Sequence, residues 1–139
     1  MTRRRTALVG AFLTAIGPIS MGIYTPAMPA LTHAFYTTES AIKLSLALYF
    51  AGFSLAQLIA GPSADALGRR KSALIFLSIF LAGSLIAVFA PTIEILLAAR
   101  LLQGIGASIG ITVARAIVRD QFTGKDSAAI LTLTGTLMA

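Results

Sequence analysis

Arg100 lies inside an apolar run from about residue 95 to residue 117. A guanidinium at bilayer depth costs at least ~2.5–3.5 kcal/mol on insertion scales. It persists where it faces a bundle interior, pairs with another group, or bonds to backbone carbonyls. Its default reading is therefore functional. Gln103, Gly104 and Gly106 follow it closely. A second charged group occupies residues 61–71, GPSADALGRRK, between two long apolar runs. Asp65, Gly68, Arg69, Arg70 and Lys71 read there as a charged hinge between two membrane helices. A short basic loop that answers only to the positive-inside rule is the plainer alternative.

Enzyme chemistry finds no footing in the remaining residues. No nucleophile, base and orienting group stand together, and there is no phosphate-cradling loop. The absence of cysteine removes disulfides and thiolate metal sites, and the single histidine, His33, cannot build a metal site alone. No metal or cofactor is expected. Hydrophobic residues make up 57% of the 139 positions and charged ones only 12%, with mean hydropathy +0.88, which places the chain in a bilayer. The net charge of +6 is carried by short clusters at the ends of apolar runs. It forms no stripe interleaved with aromatics, so nucleic acid is not an expected partner.

The elements that must position these charges are membrane helices. Arg3, Arg4 and Arg5 precede the first, about residues 7–28, which at 1.5 Å per residue is roughly 33 Å long and spans. Pro18, Pro26 and Pro29 argue against a cleaved signal peptide and for a bent helix packed inside a bundle. Residues 31–39 read as a short outer loop holding His33, with Thr37 or Thr38 as a cap and Glu39 in the next first turn. A second helix, about residues 41–60 or a turn beyond, repeats Ser45, Tyr49, Phe53 and Gln57 on one inward face. The third, about residues 72–90, is apolar nearly all round and is expected to face lipid. Pro91 ends it, and Thr92 and Glu94 begin a fourth helix of about residues 95–117. An apolar run from about residue 127 reads as a fifth helix. Its thirteen residues reach about 20 Å, too short to span, so the sequence reads as the N-terminal piece of a longer protein.

Under this four-helix reading, Arg3, Arg4, Arg5, Arg69, Arg70, Lys71, Arg119 and Lys125 share one side with Arg115, and Lys43 lies near the other. The positive-inside rule makes the first side, with the N-terminus, cytoplasmic. Gly106 and Gly110, four apart, predict a close contact of the fourth helix with a partner, the proline-bearing first helix being the expected one.

The spacing of Gly61, Asp65, Gly68, Arg69, Arg70 and Lys71 resembles the cytoplasmic loop signature of the major facilitator superfamily. Residues 96–108, LLAARLLQGIGAS, are similar to the helix 4 signature of its proton-coupled drug antiporters. Residues 24–29, YTPAMP, and 115–120, RAIVRD, resemble the bicyclomycin and chloramphenicol resistance branch. The resemblance covers nearly the whole chain. It implies an all-α polytopic transmembrane bundle, the N-terminal part of a major facilitator fold, in an inner or plasma membrane. It also implies drug:proton antiport by alternating access, with a small drug-like substrate, protons, the bilayer and the C-terminal half of the same transporter as partners. Asp65, Arg69 and Asp120 would form a gating network with Gly68 and Arg70, its ion pairs made and broken as one bundle rocks on the other. A local pair between Asp65 and Arg69, one helical turn apart, is the simpler alternative. Arg100, Gln103, Gly104 and Gly106 would act inside the span. The first and fourth helices would occupy matching places in inverted repeats and line the path, with Thr14, Pro18, Met21, Thr25, Ala107 and Ser108 as candidate lining residues.

One departure concerns coupling. The branch usually carries an acid two places before the tyrosine at residue 24, where this chain has Gly22, and no acid precedes Glu39. Neutral or anionic substrates are therefore expected to suit this half better than lipophilic cations. A metabolite transporter of the same superfamily and a truncated, non-transporting remnant are the alternatives.

Overall fold

The computed structural model describes the backbone of residues 3–121 and the side chains of residues 8–116. It is all helical, with four helices and no strand among the described residues: α1 (Arg3–Ala34), α2 (Glu39–Leu67), α3 (Arg69–Val88) and α4 (Ile93–Gln121). Each carries a stretch long and apolar enough to cross a membrane. The expected fifth helix, from about residue 127, lies outside the described residues.

Local chemistry sets the turns. The end of α1 is closed by Thr37 N–H donating to the Thr32 carbonyl at 3.1 Å and Tyr36 N–H donating to His33 at 3.2 Å. Tyr36 takes the left-handed conformation (φ 48°), which completes a Schellman-type stop without glycine. Thr38, extended at φ −89° and ψ 155°, caps α2 by accepting from Ala41 N–H. Glu39 sits in that first turn and pairs with Lys43 at 3.3 Å. Between α2 and α3 the whole turn is Gly68, whose φ of 84° suits a residue without Cβ. The Ser72 hydroxyl donates to the Ser63 carbonyl at 2.7 Å and ties the two helices together there.

Helix α4 is the spine. Over half of its apolar window (56%) is buried within the described structure, against 17% for α1 and α3, because it packs on all three other helices. Glycines make that possible by removing side chains at the crossings. A Cβ on Gly104 would overlap the Tyr49 carbonyl of α2, one on Gly106 the backbone of α3 at Phe76 and Phe80, and one on Gly110 the Leu13 carbonyl of α1. Gly110 therefore meets the proline-bearing helix, whereas Gly106 is corrected to a contact with α3.

Three further expectations change. Residues 61–67 are not a hinge loop: α2 runs through Pro62 to Leu67. Proline removes one ladder bond, but Ala60 and Ala64 are buried and hold the helix past it. Gly68 also interrupts the helix between Asp65 and Arg69, so the two are not one turn apart on a continuous helix. Finally, α1 continues to Ala34, six residues beyond the expected end. His33 thus lies in its last turn and not in a loop.

Candidate functional site

Inside the bundle, Arg100 is 2% exposed although no carboxylate among the described residues is paired with it. Its guanidinium carbon lies 3.9 Å from the centroid of the Tyr24 ring and 4.6 Å from that of Tyr49. Nη1 donates to Gln103 Oε1 at 2.8 Å, and Nη2 reaches the Met21 sulfur at 3.6 Å. Gln103 in turn donates from Nε2 to Ser84 Oγ at 3.0 Å, and the Tyr24 hydroxyl is hydrogen-bonded to Ser45. Met21 and Tyr24 are on α1, Ser45 and Tyr49 on α2, Ser84 on α3, Arg100 and Gln103 on α4. One polar network therefore touches all four helices.

Magnitudes explain how the charge stays buried without an ion pair. Two desolvated cation–π contacts contribute about 2 kcal/mol each, and a hydrogen bond involving a charged group about 1.5–3 kcal/mol. Together they offset the ~2.5–3.5 kcal/mol insertion cost of an arginine at a helix centre. One polar atom in this network remains unmatched: Arg100 Nε is buried with no hydrogen-bond partner, while the buried Tyr49 hydroxyl lies beside the Ser20 side chain.

Beside the network a cavity of about 450 Å³ opens between α1, α3 and α4. Its polar wall is Arg100, Gln103, Ser20, Tyr24 and Ser84. Its apolar wall includes Phe12, Ile19, Ile23 and Phe80. A second cavity of about 390 Å³ lies toward the outer end of α1 and α2, where Thr25, Thr32, His33, Glu39 and Lys43 are among the lining residues.

The expected path residues separate in space. Met21 reaches Arg100, while Thr25 lines the outer cavity and gives its hydroxyl hydrogen to the Met21 carbonyl. Pro18 is exposed and Thr14 is buried, its hydroxyl donating to the Gly10 carbonyl at 2.8 Å. Ala107 and Ser108 line neither cavity. Both are buried, and Ser108 donates to the Ile105 carbonyl. Gly104 and Gly106 serve the helix crossings. Around the α2–α3 turn, Asp65, Gly68 and Arg70 are exposed and Arg69 is half-buried. The backbone of α4 extends past Asp120, whose side chain lies outside the described residues.

Tyr24, Tyr49, Ser45 and Ser84 complete the site, and sequence reasoning gave none of them a role beside Arg100. Ser45 and Tyr49 had been placed on an inward face. Ser84 stood in a helix with no other apparent binding group.

The match to known proteins extends over the same elements. The family model described as Major Facilitator Superfamily matches residues 3–139. The chain belongs to the major facilitator superfamily. Relatives within it include the uncharacterized MFS-type transporter YdgK of Bacillus subtilis (strain 168), 39% identical over 131 residues, covering 94% of this chain and 33% of the relative. Multidrug resistance protein D of Escherichia coli (strain K12) is 32% identical over 125 residues, covering 88% of this chain and 32% of the relative. Multidrug resistance protein MdtL of Escherichia coli O139:H28 is 31% identical over 121 residues, covering 87% and 31% respectively. The chain thus spans about a third of the length of these superfamily relatives. No solved structure matches. With four membrane-length helices, this superfamily member is a multi-pass membrane protein.

Proposed function

We propose that the complete protein is a secondary transporter of the drug:proton antiporter type, exporting small drug-like molecules by alternating access. Residues 1–139 form the first part of its N-terminal six-helix bundle. The observation that carries this reading is Arg100, a cation inside the membrane span held in a network of side chains from all four helices. An arginine used only for packing would be replaced at lower cost by an apolar residue, since a buried charge is retained for what it does.

Helix α1 supports the reading independently. Pro18, Pro26 and Pro29 deprive the carbonyls of Thr14, Gly22 and Thr25 of their usual donors. Gly22 and Thr25 are exposed. Free carbonyls are tolerated at membrane depth against protein or a water-filled path, and not against lipid tails. The Gly22–Thr25 side of α1 accordingly meets water or another segment of the complete protein and not lipid tails. The names of the two Escherichia coli relatives and the likeness to the bicyclomycin and chloramphenicol resistance branch favour drugs as the cargo.

In this reading the N-terminus is cytoplasmic, the membrane is the inner or plasma membrane, and Asp65, Gly68, Arg69, Arg70 and Asp120 form the cytoplasmic gate. Ion pairs at such helix ends are made and broken as one half of the protein rocks against the other. Drug accumulation in cells expressing the complete protein, with and without a protonophore, tests the proposal. Reduced accumulation that the protonophore restores is expected. Unchanged accumulation contradicts drug export, and protonophore-insensitive export contradicts proton coupling.

A further inference from the structure

Arg100 is a buried cation with no carboxylate partner among the described residues. Two of the five N–H groups of a guanidinium are engaged, by Gln103 and by the Met21 thioether, and Nε has no partner. The chain's five carboxylates are Glu39, Asp65, Glu94, Asp120 and Asp126, and those within the described backbone are remote. Glu94 stands six residues before Arg100 on α4, about 9 Å along the axis and on a different side of the helix. Glu39 begins α2 about 15 Å from Tyr49, and Asp65 is about 24 Å from Tyr49 in the opposite direction. Asp120 is about 30 Å from Arg100 along α4. Asp126 lies outside the described residues.

The cavity beside Arg100 is amphipathic. Its polar groups gather at the guanidinium, and the rest of its lining is hydrocarbon and aromatic, including Phe12, Ile19, Ile23 and Phe80. Its volume of about 450 Å³ is that of a small-molecule pocket. We propose that it takes the carboxylate end of a monoanionic amphiphile, with Arg100 as counter-ion and the apolar wall holding the rest of the molecule. This rests on the transporter reading above and names the class of its substrate.

Three physical points select that class. The planar guanidinium fork matches a carboxylate in two parallel hydrogen bonds. A single positive charge balances one negative charge, whereas a phosphate dianion would leave an excess charge in a low-dielectric interior. A lipophilic cation would meet Arg100 with no acid beside it among the described residues to offset the repulsion.

Phenylbutyrate, phenylbutyramide and phenylbutylamine share one skeleton and differ in charge. Their binding to the complete protein in lipid nanodiscs, measured by calorimetry, tests the proposal. The carboxylate is expected to bind roughly tenfold tighter than the amide, with the amine weakest. Arg100→Gln should erase the difference between carboxylate and amide. Ile23→Trp, which fills the cavity, should weaken both. If Arg100→Gln does not fold, the wild-type ranking and Ile23→Trp decide the matter. The proposal is overturned if the amide or amine binds as tightly as the carboxylate, if the preference survives Arg100→Gln, or if Ile23→Trp leaves binding unchanged. Protein that exports drugs yet shows no carboxylate preference overturns this inference and leaves the transporter reading standing. Protein that moves no solute overturns both.

Discussion

The two charged clusters of this chain stand out equally in the sequence and differ sharply in what fixes them. Around Arg100 the aromatic rings, the amide and the serine come from α1, α2, α3 and α4, and the guanidinium is 2% exposed. At the α2–α3 turn, Asp65, Gly68, Arg70 and Lys71 are all exposed, and the backbone is set by one glycine. The first cluster is built by these four helices. The second presents its charges outward, where another segment or another half of the protein can engage them. A hub that does not move and a gate that does would be expected to differ in this way.

Substitutions can break that comparison or sharpen it. The largest effect on stability is expected at the hub's crossing with α2. Gly104→Val would drive a branched side chain into the Tyr49 carbonyl, with an expected loss of about 3 kcal/mol, at the upper end for overpacking. Thermal unfolding in detergent, followed by loss of the monodisperse peak, checks it. A wild-type midpoint would mean that the helices do not cross there. Gly22→Val is the control, because nothing lies within 4 Å of a Cβ at that position.

A smaller loss is expected at the turn. Gly68→Ala puts a Cβ where φ is 84°, at a cost of about 1–2 kcal/mol, with no packing to repair. The same unfolding measurement should rank it clearly below Gly104→Val, and the reverse order would make the turn the more rigid region. Smallest is Tyr49→Phe. The buried hydroxyl has only the Ser20 side chain beside it as a hydrogen-bonding group, outside ideal geometry, so removing it should shift stability by no more than about 1 kcal/mol. A fall in the unfolding midpoint larger than that of Gly68→Ala would make this hydroxyl a structural part of the hub.

What the sequence revealed follows from the cost of each residue in a membrane. Arg100 is conspicuous because a charge in an apolar run is expensive, and the proline content of α1 is conspicuous for the same reason. Tyr24, Ser45, Tyr49 and Ser84 are cheap there, so nothing in their type or period singles them out as partners of Arg100. Ser84 belongs to a helix so uniformly apolar that its inner face has no contrast with its outer one. The partner of Gly106 was equally hidden: a small-residue pair announces a close approach but carries no address. The end of α2 was misplaced because Gly61 and Pro62 are strong breakers in isolation, while the burial of Ala60 and Ala64 against the bundle keeps the helix intact. In each case a tertiary contact decided between local options of similar free energy.

Arg100→Ala tests the central claim most directly. The complete protein, wild type and variant, would be brought to equal levels in the membrane, verified by blotting, and its export of a drug substrate measured in the same cells. Loss of export with the variant still present in the membrane is the predicted result. Wild-type export by that variant would show that the caged guanidinium is packing alone, and would contradict the account.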